Sequence, residues 1–360
     1  MQAYDAFLLV SFGGPEGPDD VMPFLENVTR GRGIAPERLV AVAEHYYAVG
    51  GVSPINQQCR DILTAVQAEF SAGGLSLPLY WGNRNWSPYL TDTVRAMAEG
   101  GVRRAIAFVT SAYSSYSSCR QYLDDIERAR AAVGPDAPRI DKIRRFFNHP
   151  GFIEPFAANA NAALATLPAE VRQDAHLVFT AHSIPVAMAD ASGPGGGRRY
   201  VAELTEAARL IAERTDGGSH PWTLVYQSRS GSPAQPWLEP DVCDHLGELA
   251  KSGTEAVLVI PVGFVSDHME VRHDLDVEAA QSAESLGLAF ARAATPGTRP
   301  RVASMITELG RERLALPEVQ PVALGTMGVP SQACPADCCR YGPVAASAHR
   351  AGEVRGPTQA

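Results

Sequence analysis

Neither glycine signature that cradles phosphate is present: no Gly-x-Gly-x-x-Gly follows the first apolar run, and no Gly-x-x-x-x-Gly-Lys-Ser/Thr occurs anywhere. Neither a dinucleotide nor a nucleoside triphosphate is therefore indicated. A Gly-x-Ser-x-Gly elbow is also missing, which leaves acyl transfer without support. The chain lacks an excess of positive charge; its formal net charge of -9 argues against a general nucleic-acid binder, which needs a basic face to neutralise phosphates. No apolar run approaches the roughly 20 residues of a bilayer span. The early run Ala6-Phe-Leu-Leu-Val10 has no basic residue before it and no small-residue cleavage site after it, so a cytoplasmic location is expected. Cysteine is sparse. Six in 360 residues make no disulfide scaffold, yet three of them crowd into Cys334-Pro-Ala-Asp-Cys338-Cys339.

What remains is an ordinary globular composition, 45% hydrophobic and 20% charged, in a chain long enough for two domains. Apolar runs near residues 7–12, 79–82 and 105–110 alternate with amphipathic stretches near 87–99 and 120–133. That alternation predicts an α/β fold with a doubly wound parallel sheet covered on both faces. The second half repeats the plan. Phe7-Leu-Leu-Val-Ser-Phe-Gly-Gly-Pro15 sets against Leu177-Val-Phe-Thr-Ala-His-Ser-Ile-Pro185 at an offset of 170, with further matches at 145 for Leu79 on Leu224 and 152 for Gly101 on Gly253. Three matched strand ends in one order predict two similar lobes facing each other across a cleft. The expected division is 1–150 for a binding lobe, 151–316 for a metal-handling lobe and 317–360 for a cysteine-containing extension, ordered, if at all, by its cysteines.

His182 should stand at the carboxyl end of a buried strand, where open α/β sheets meet their ligands. Glu270 follows a second such strand, Ala256-Val-Leu-Val-Ile260. Glu270, Asp274 and Glu278 recur every four residues, which on a helix makes one carboxylate stripe. Such a stripe suits a solvated face and equally a file of oxygen ligands for a divalent cation. A neutral imidazole with a carboxylate makes an open site able to hold a borderline ion such as Fe(II) briefly. In the first half, Arg84 lies among aromatics and can fork onto a carboxylate, and Arg30 and Arg32 add positive charge on a glycine-containing loop. Phe12, Tyr46, Tyr47, Tyr113, Tyr116 and Tyr122 offer flat faces for a large planar acid.

These residues resemble the ferrochelatases, which insert ferrous iron into a porphyrin. The resemblance spans about residues 4–315 and rests on Ser11-Phe-Gly-Gly-Pro15, Gly50-Gly-Val-Ser-Pro-Ile55, Thr180-Ala-His-Ser-Ile-Pro185, Tyr226-Gln-Ser228, Pro236-Trp-Leu-Glu-Pro240 and Pro261-Val-Gly-Phe-Val-Ser-Asp-His-Met-Glu270. It implies two Rossmann-like lobes of the class II chelatase kind with a porphyrin cleft between them. It further implies that His182 and Glu270 are the iron and catalytic pair, that Asp274 and Glu278 stand behind them, and that Ser53 and Tyr122 touch the macrocycle or its carboxylates. Where coproporphyrin-using bacterial members have a tyrosine able to ligate product iron, this chain has Phe12, which has no lone pair. The stretch Val28-Thr-Arg-Gly-Arg-Gly-Ile34 is similar to the basic segment of coproporphyrin-type enzymes, so coproporphyrin III is the expected substrate, with protoporphyrin IX the alternative. Some members hold a 2Fe–2S cluster through a C-terminal cysteine tail. Cys334, Cys338 and Cys339 look like that tail, with Cys119 preferred over Cys59 and Cys243 as fourth ligand; zinc or incidental thiols are the rivals. Expected partners are ferrous iron, the porphyrin and an enzyme that accepts the product. A non-catalytic tetrapyrrole or metal carrier and an iron–sulfur sensor are the readings from other classes.

Overall fold

The computed structural model describes residues 4–31, 34–230, 234–316 and 319–341. Its apolar runs form two parallel four-stranded sheets. The first contains β1 (Ala6–Ser11), β2 (Leu79–Asn83), β3 (Arg104–Val109) and β4 (Arg139–Lys142), in the order β2-β1-β3-β4. The second contains β5 (His176–His182), β6 (Trp222–Gln227), β7 (Ala256–Ile260) and β8 (Ala289–Arg292), in the matching order β6-β5-β7-β8. β1 and β7 are buried along their whole length, as strands covered on both faces must be.

The registers test the repeat. Phe7 lies opposite Leu79 and Ile106, and Leu177 lies opposite Trp222 and Leu258. Placing Phe7 on Leu177 carries Ile106 onto Leu258, in agreement with the expected offsets of 170 and 152. Leu79, however, falls on Trp222 rather than Leu224. The sequence match was thus two residues out of register, an error that side-chain alternation hides, because a slip of two returns every side chain to the same face.

The lobes are not independent bodies. One buried cluster runs from Phe7, Phe70 and Phe108 through Phe146, Phe152 and Phe156 to Phe179 and Leu258. The helix Pro150–Leu164 joins the halves; it opens with a proline at its first position, and the His149 ring accepts a hydrogen bond from the Gly151 amide at 3.0 Å. A Cβ on Gly151 would stand 2.5 Å from Met305 Cβ, so glycine lets the last helix, Pro300–Arg313, pass close by. That helix also packs on Ile55–Ala72 of the first lobe. The division expected between residues 150 and 151 therefore falls between segments that share a core.

The extension needs the same correction, since it is tied down well ahead of its cysteines. Arg144, fully buried, forks onto Glu312 and donates to the Val322 carbonyl at 3.0 Å. Asn148 donates to the carbonyls of Leu324 and Gly328, and Glu206 accepts from the Thr326 amide at 2.9 Å. The tail thus binds both lobes through backbone groups that its irregular conformation would otherwise leave unpaired. Among the described residues no helix is long and apolar enough to cross a membrane.

Candidate functional site

β5 loses its β7 partner after Phe179 and ends at His182, whose neighbour Ser183 bonds back to the Gln227 carbonyl at 2.8 Å. The His182 ring is left 32% exposed at the strand's carboxyl end. Its Nδ1 lies 2.6 Å from the Ser183 carbonyl. A carbonyl only accepts, so Nδ1 carries a proton, and the tautomer this selects has its lone pair outward on Nε2. That Nε2 stands 3.7 Å from Oε2 of Glu270. Two electron-rich atoms face each other, an arrangement that is repulsive until a cation lies between them. A proton on Nε2 satisfies it, and so does a metal ion, since two ligand bonds of about 2.1 Å bridge such a gap at an open angle.

Glu270 reaches this point through residues 261–268, which are held from the first lobe. Tyr113 donates to the Val262 carbonyl at 2.7 Å, and the Asp267 amide donates to Gln58 Oε1 at 3.0 Å. Both buttresses cross from one half of the chain to the other. His268 adds a second imidazole, its Nδ1 4.0 Å from the same Glu270 oxygen. Burial holds its pKa below the usual histidine range, against the opposing pull of Glu270. His268 was not singled out in the sequence, although its place two residues before Glu270 was the available signal.

Glu270 and Glu278 are near enough to Asp274 to act on its charge, but the helix that carries them is wider than expected. After one turn, Met269–Val271, the chain forms a π-helix over Arg272–Ala279, and the first lobe has a shorter one at Tyr116–Arg120. Four-residue spacing is compatible with either helix type, so the pattern could not reveal the π-turns, which are common at functional sites. Asp274 accepts hydrogen bonds from the Ser228 hydroxyl and from Gln227 Nε2. Burial, with the nearby Glu270 and Glu278 charges, outweighs those bonds and pushes its pKa up to about 7. Glu278, 55% exposed, lies 3.3 Å from His273 Nε2, and the His273 ring stacks on His45 of the first lobe at 3.6 Å. Among the described residues no three such side chains converge as a closed metal cage. His182 and Glu270 leave two donor atoms facing an open gap.

Opposite the pair, the first lobe presents aromatics. Tyr46 is buried, and burial together with the Glu270 charge pushes its phenol far above the usual range. Phe24 lies 6.0 Å from both Tyr46 and Trp86 and 6.4 Å from Phe12, and Met269 of the second lobe packs into this cluster. Several expected contacts fall elsewhere. Arg84 is an internal cation: its Nε is 2.5 Å from Asp125, both side chains are almost sealed from water, and its guanidinium covers the Tyr122 ring at 4.6 Å. That guanidinium is already paired with a buried carboxylate, and Tyr122 lies beneath it in the core. Tyr113 is likewise a core residue, whereas Tyr47 is exposed and Tyr116 packs near Tyr341. Ser53 is buried, its amide bonded to the Pro15 carbonyl at 2.8 Å. Arg30 is exposed just after the helix Pro18–Thr29, and Arg32 lies outside the described residues.

Behind the site the tail meets the first lobe's π-turn. Cys119 hydrogen-bonds with Cys334, and this contact holds the Cys119 thiol well below its ordinary range, with Lys142 and Arg145 adding to the effect. Cys338 and Cys339 sulfurs are 3.6 Å apart. Arg145 feels Cys119, Cys334 and Cys338 together, as well as buried Glu203. Cys59 lies instead near Ser11 in the core, and Cys243 beside Asp241 and Glu278.

A family model described as ferrochelatase matches residues 4–314. A protein of Streptomyces coelicolor named coproporphyrin III ferrochelatase is 56% identical over 350 residues, covering 93% of this chain and 93% of that one. A Nocardia farcinica protein of the same name is 58% identical, covering 87% of this chain and 89% of its own length. One from Rhodopirellula baltica, named ferrochelatase, is 51% identical, with 94% of both chains covered. Among solved structures, SirB from Bacillus subtilis with Fe3+ superposes with a TM-score of 0.54 over 87% of this chain and 96% of that one; at 12% identity this likeness concerns the fold alone.

The raised Asp274 pKa has a signed consequence. Between the ordinary carboxylate value and about 7 the folded chain holds a proton that the unfolded chain has lost, so this group's contribution to stability falls as pH rises through that window. Asp274→Asn removes the slope. Urea unfolding of both proteins should show the variant gaining on the order of 1–3 kcal/mol relative to wild type between about pH 4.5 and 7.5. A constant difference would mean that the carboxyl is not desolvated.

Proposed function

Because the chain belongs to the ferrochelatase family, we propose that it inserts ferrous iron into coproporphyrin III as a step of haem biosynthesis, with His182 and Glu270 as the reacting pair. The observation that supports the pair is the outward lone pair of His182 Nε2 facing Glu270 at 3.7 Å. Such a gap accepts one cation and exchanges it for another. Insertion consumes Fe2+ and releases two pyrrole protons, so charge at the site is conserved if, as iron leaves the gap for the ring, one proton goes to Nε2 and the second to a neighbouring carboxylate. Glu270 steadies the resulting imidazolium, and Asp274, balanced near neutrality, takes the next proton. The first lobe's aromatic wall gives the macrocycle a surface to bind, and binding energy spent there can distort the ring and expose a pyrrole lone pair. This assigns porphyrin binding to the lobe before residue 150 and metal handling to the lobe after it. Glu278 is the exposed end of the iron's path. Phe12 supplies no axial ligand, which leaves the product iron free to be handed to an enzyme that accepts it.

Coproporphyrin is favoured over protoporphyrin by the names of the Streptomyces and Nocardia relatives and by Arg30 and Arg32 in the binding half. With Arg84 committed to Asp125, more of the carboxylate recognition falls to them.

We read the cysteines as ligands of a 2Fe–2S cluster from their pairing, while among the described residues no three metal-capable side chains converge on a single ion. Such a cluster takes two thiolates on each of two irons, and two thiolates on one tetrahedral metal stand about 3.8 Å apart. Cys338 and Cys339 are at 3.6 Å, Cys119 and Cys334 form a second touching pair, and Lys142 and Arg145 offset the negative charge. When bound, the cluster would supply a one-electron centre and a crosslink between the tail and the first lobe.

His182→Ala should abolish iron insertion while coproporphyrin binding, followed by absorption, persists; Glu270→Gln should be severely impaired as well. Near-normal anaerobic turnover in His182→Ala would end the assignment.

The double change Arg30→Ala, Arg32→Ala should lower kcat/KM for coproporphyrin III more than for protoporphyrin IX, because each shielded guanidinium–propionate pair is worth roughly 1.5–3 kcal/mol and less when exposed. The ratio of the two specificity constants at fixed salt reads this directly; an unchanged ratio would make these arginines surface charges.

Protein purified anaerobically should show the visible absorption of a 2Fe–2S centre, lost in Cys338→Ser and in Cys119→Ser. A colourless wild type containing zinc would replace the cluster with a zinc site.

A further inference from the structure

Glu270 is carried by a stretch that no ladder holds. β7 ends at Ile260, residues 261–268 belong to neither helix nor strand, and the π-helix begins only at Arg272. Arg292 closes β8 at the carboxyl end of the same parallel sheet, the end at which His182 stands. Its backbone is fixed there: it lies opposite Val259, and the following amide, that of Ala293, donates to the Val259 carbonyl at 2.9 Å. From this anchored position the side chain, 13% exposed, reaches both flanks of Glu270. Ahead of Glu270 in the chain, Asp267 accepts from Nη1 at 3.2 Å. Beyond it, on the π-helix, Asp276 accepts from Nε and Nη2 at 2.7 and 2.8 Å, a two-pronged contact. Arg272 also approaches Asp276, but it is exposed and stands 4.0 Å away.

We infer that Arg292 is a positioning residue for iron insertion, one that fixes Glu270 to the sheet carrying His182. A guanidinium presents its donors in a rigid planar fork, so a single side chain can hold two carboxylates at a set separation. An ammonium keeps the charge and loses that geometry. The two carboxylates held here bracket the residue that must face His182, and Asp267 is held a second time through its amide, which donates to Gln58 of the first lobe. His182 and Arg292 stand on β5 and β8, with β7 hydrogen-bonded between them, so the clamp makes the gap between Nε2 and Glu270 a property of one sheet. Released from Arg292, the loop and the π-helix shift relative to that sheet, while His182 stays with its strand. Small displacements of a reacting group are expensive in rate. This inference rests on the reading of Glu270 as a reacting residue.

The test uses the full chain and Arg292→Lys, which retains the charge and can reach only one carboxylate at a time. Its kcat with ferrous iron should fall ~10- to 100-fold while KM for coproporphyrin III stays as in wild type, because the macrocycle is bound by the other lobe. Asp276→Asn, which loosens one arm at a half-exposed position, should lose ~3- to 10-fold and serves equally if Arg292→Lys does not fold. Placed in a Glu270→Gln background, either change should cost less than ~3-fold more, since both act through Glu270; a merely structural role would multiply the losses. A second readout needs no turnover: hydrogen exchange should speed up in residues 261–280 of both variants and stay unchanged in β5. Wild-type kcat in both variants, a rise in coproporphyrin KM alone, multiplied losses in the Glu270→Gln background, or unchanged exchange in 261–280 would each overturn the inference. If Glu270→Gln itself kept its turnover, the reading of the reacting pair would fail, whereas the exchange measurement would still decide whether Arg292 holds that segment.

Discussion

A histidine lone pair and a carboxylate oxygen facing each other across 3.7 Å are unfavourable neighbours unless a cation separates them. Much of the molecule can be understood as the means of keeping them there. The Nδ1 bond to the Ser183 carbonyl prevents the ring from turning its proton toward Glu270. The strand end places the ring, and a segment braced from the opposite lobe places the carboxylate. On the proposed reading, an arrangement held in this way against its own repulsion captures a divalent ion and releases it in exchange for protons. With two ligands rather than a closed cage, it can also let the metal go.

Holding such a site rigid needs a frame that does not flex at the cleft, and the shared core supplies it. Aromatic side chains from both halves interlock from Phe7 to Phe179, and the last helix crosses back to pack on the first lobe. The tail adds a second set of ties, through buried Arg144 and Glu312 and through the carbonyls of Leu324 and Gly328. These partly buried polar links do more for geometry than for net stability, since desolvation offsets most of what the ion pairs contribute. Their effect is to make relative movement of the lobes costly at the point where the first lobe's aromatics meet Glu270.

Sequence reading succeeded where the chemistry is local. A buried run that stops at a histidine, and another followed by acidic residues every fourth position, both announce strand ends facing a cleft. The structure adds what it could not give for Arg84, Tyr113 and Tyr122, read as facing a planar acid: an internal ion pair with Asp125 and a place among buried aromatics. An arginine among aromatics has the same local pattern whether its partner is a substrate or Asp125, and the partner lies 41 residues away in sequence. His268 was passed over despite its place beside Glu270, and the stacking of His45 on His273 was missed for the complementary reason: nothing near His45 in the chain tells that it meets the carboxylate file.

The sequence alone determined the alternation of strand and helix, the duplication, and the placing of His182 and Glu270 beyond buried strands, because side-chain periodicity and chain breaks are properties of neighbours along the chain. Tertiary structure decided the rest. It set the two-residue correction in the repeat, the widening of the carboxylate helix into a π-turn, the tail's attachment to both lobes, and the meeting of Cys119 with Cys334. Each of these depends on which distant groups are brought into van der Waals or hydrogen-bond range, and those short-range forces act only after the chain has folded.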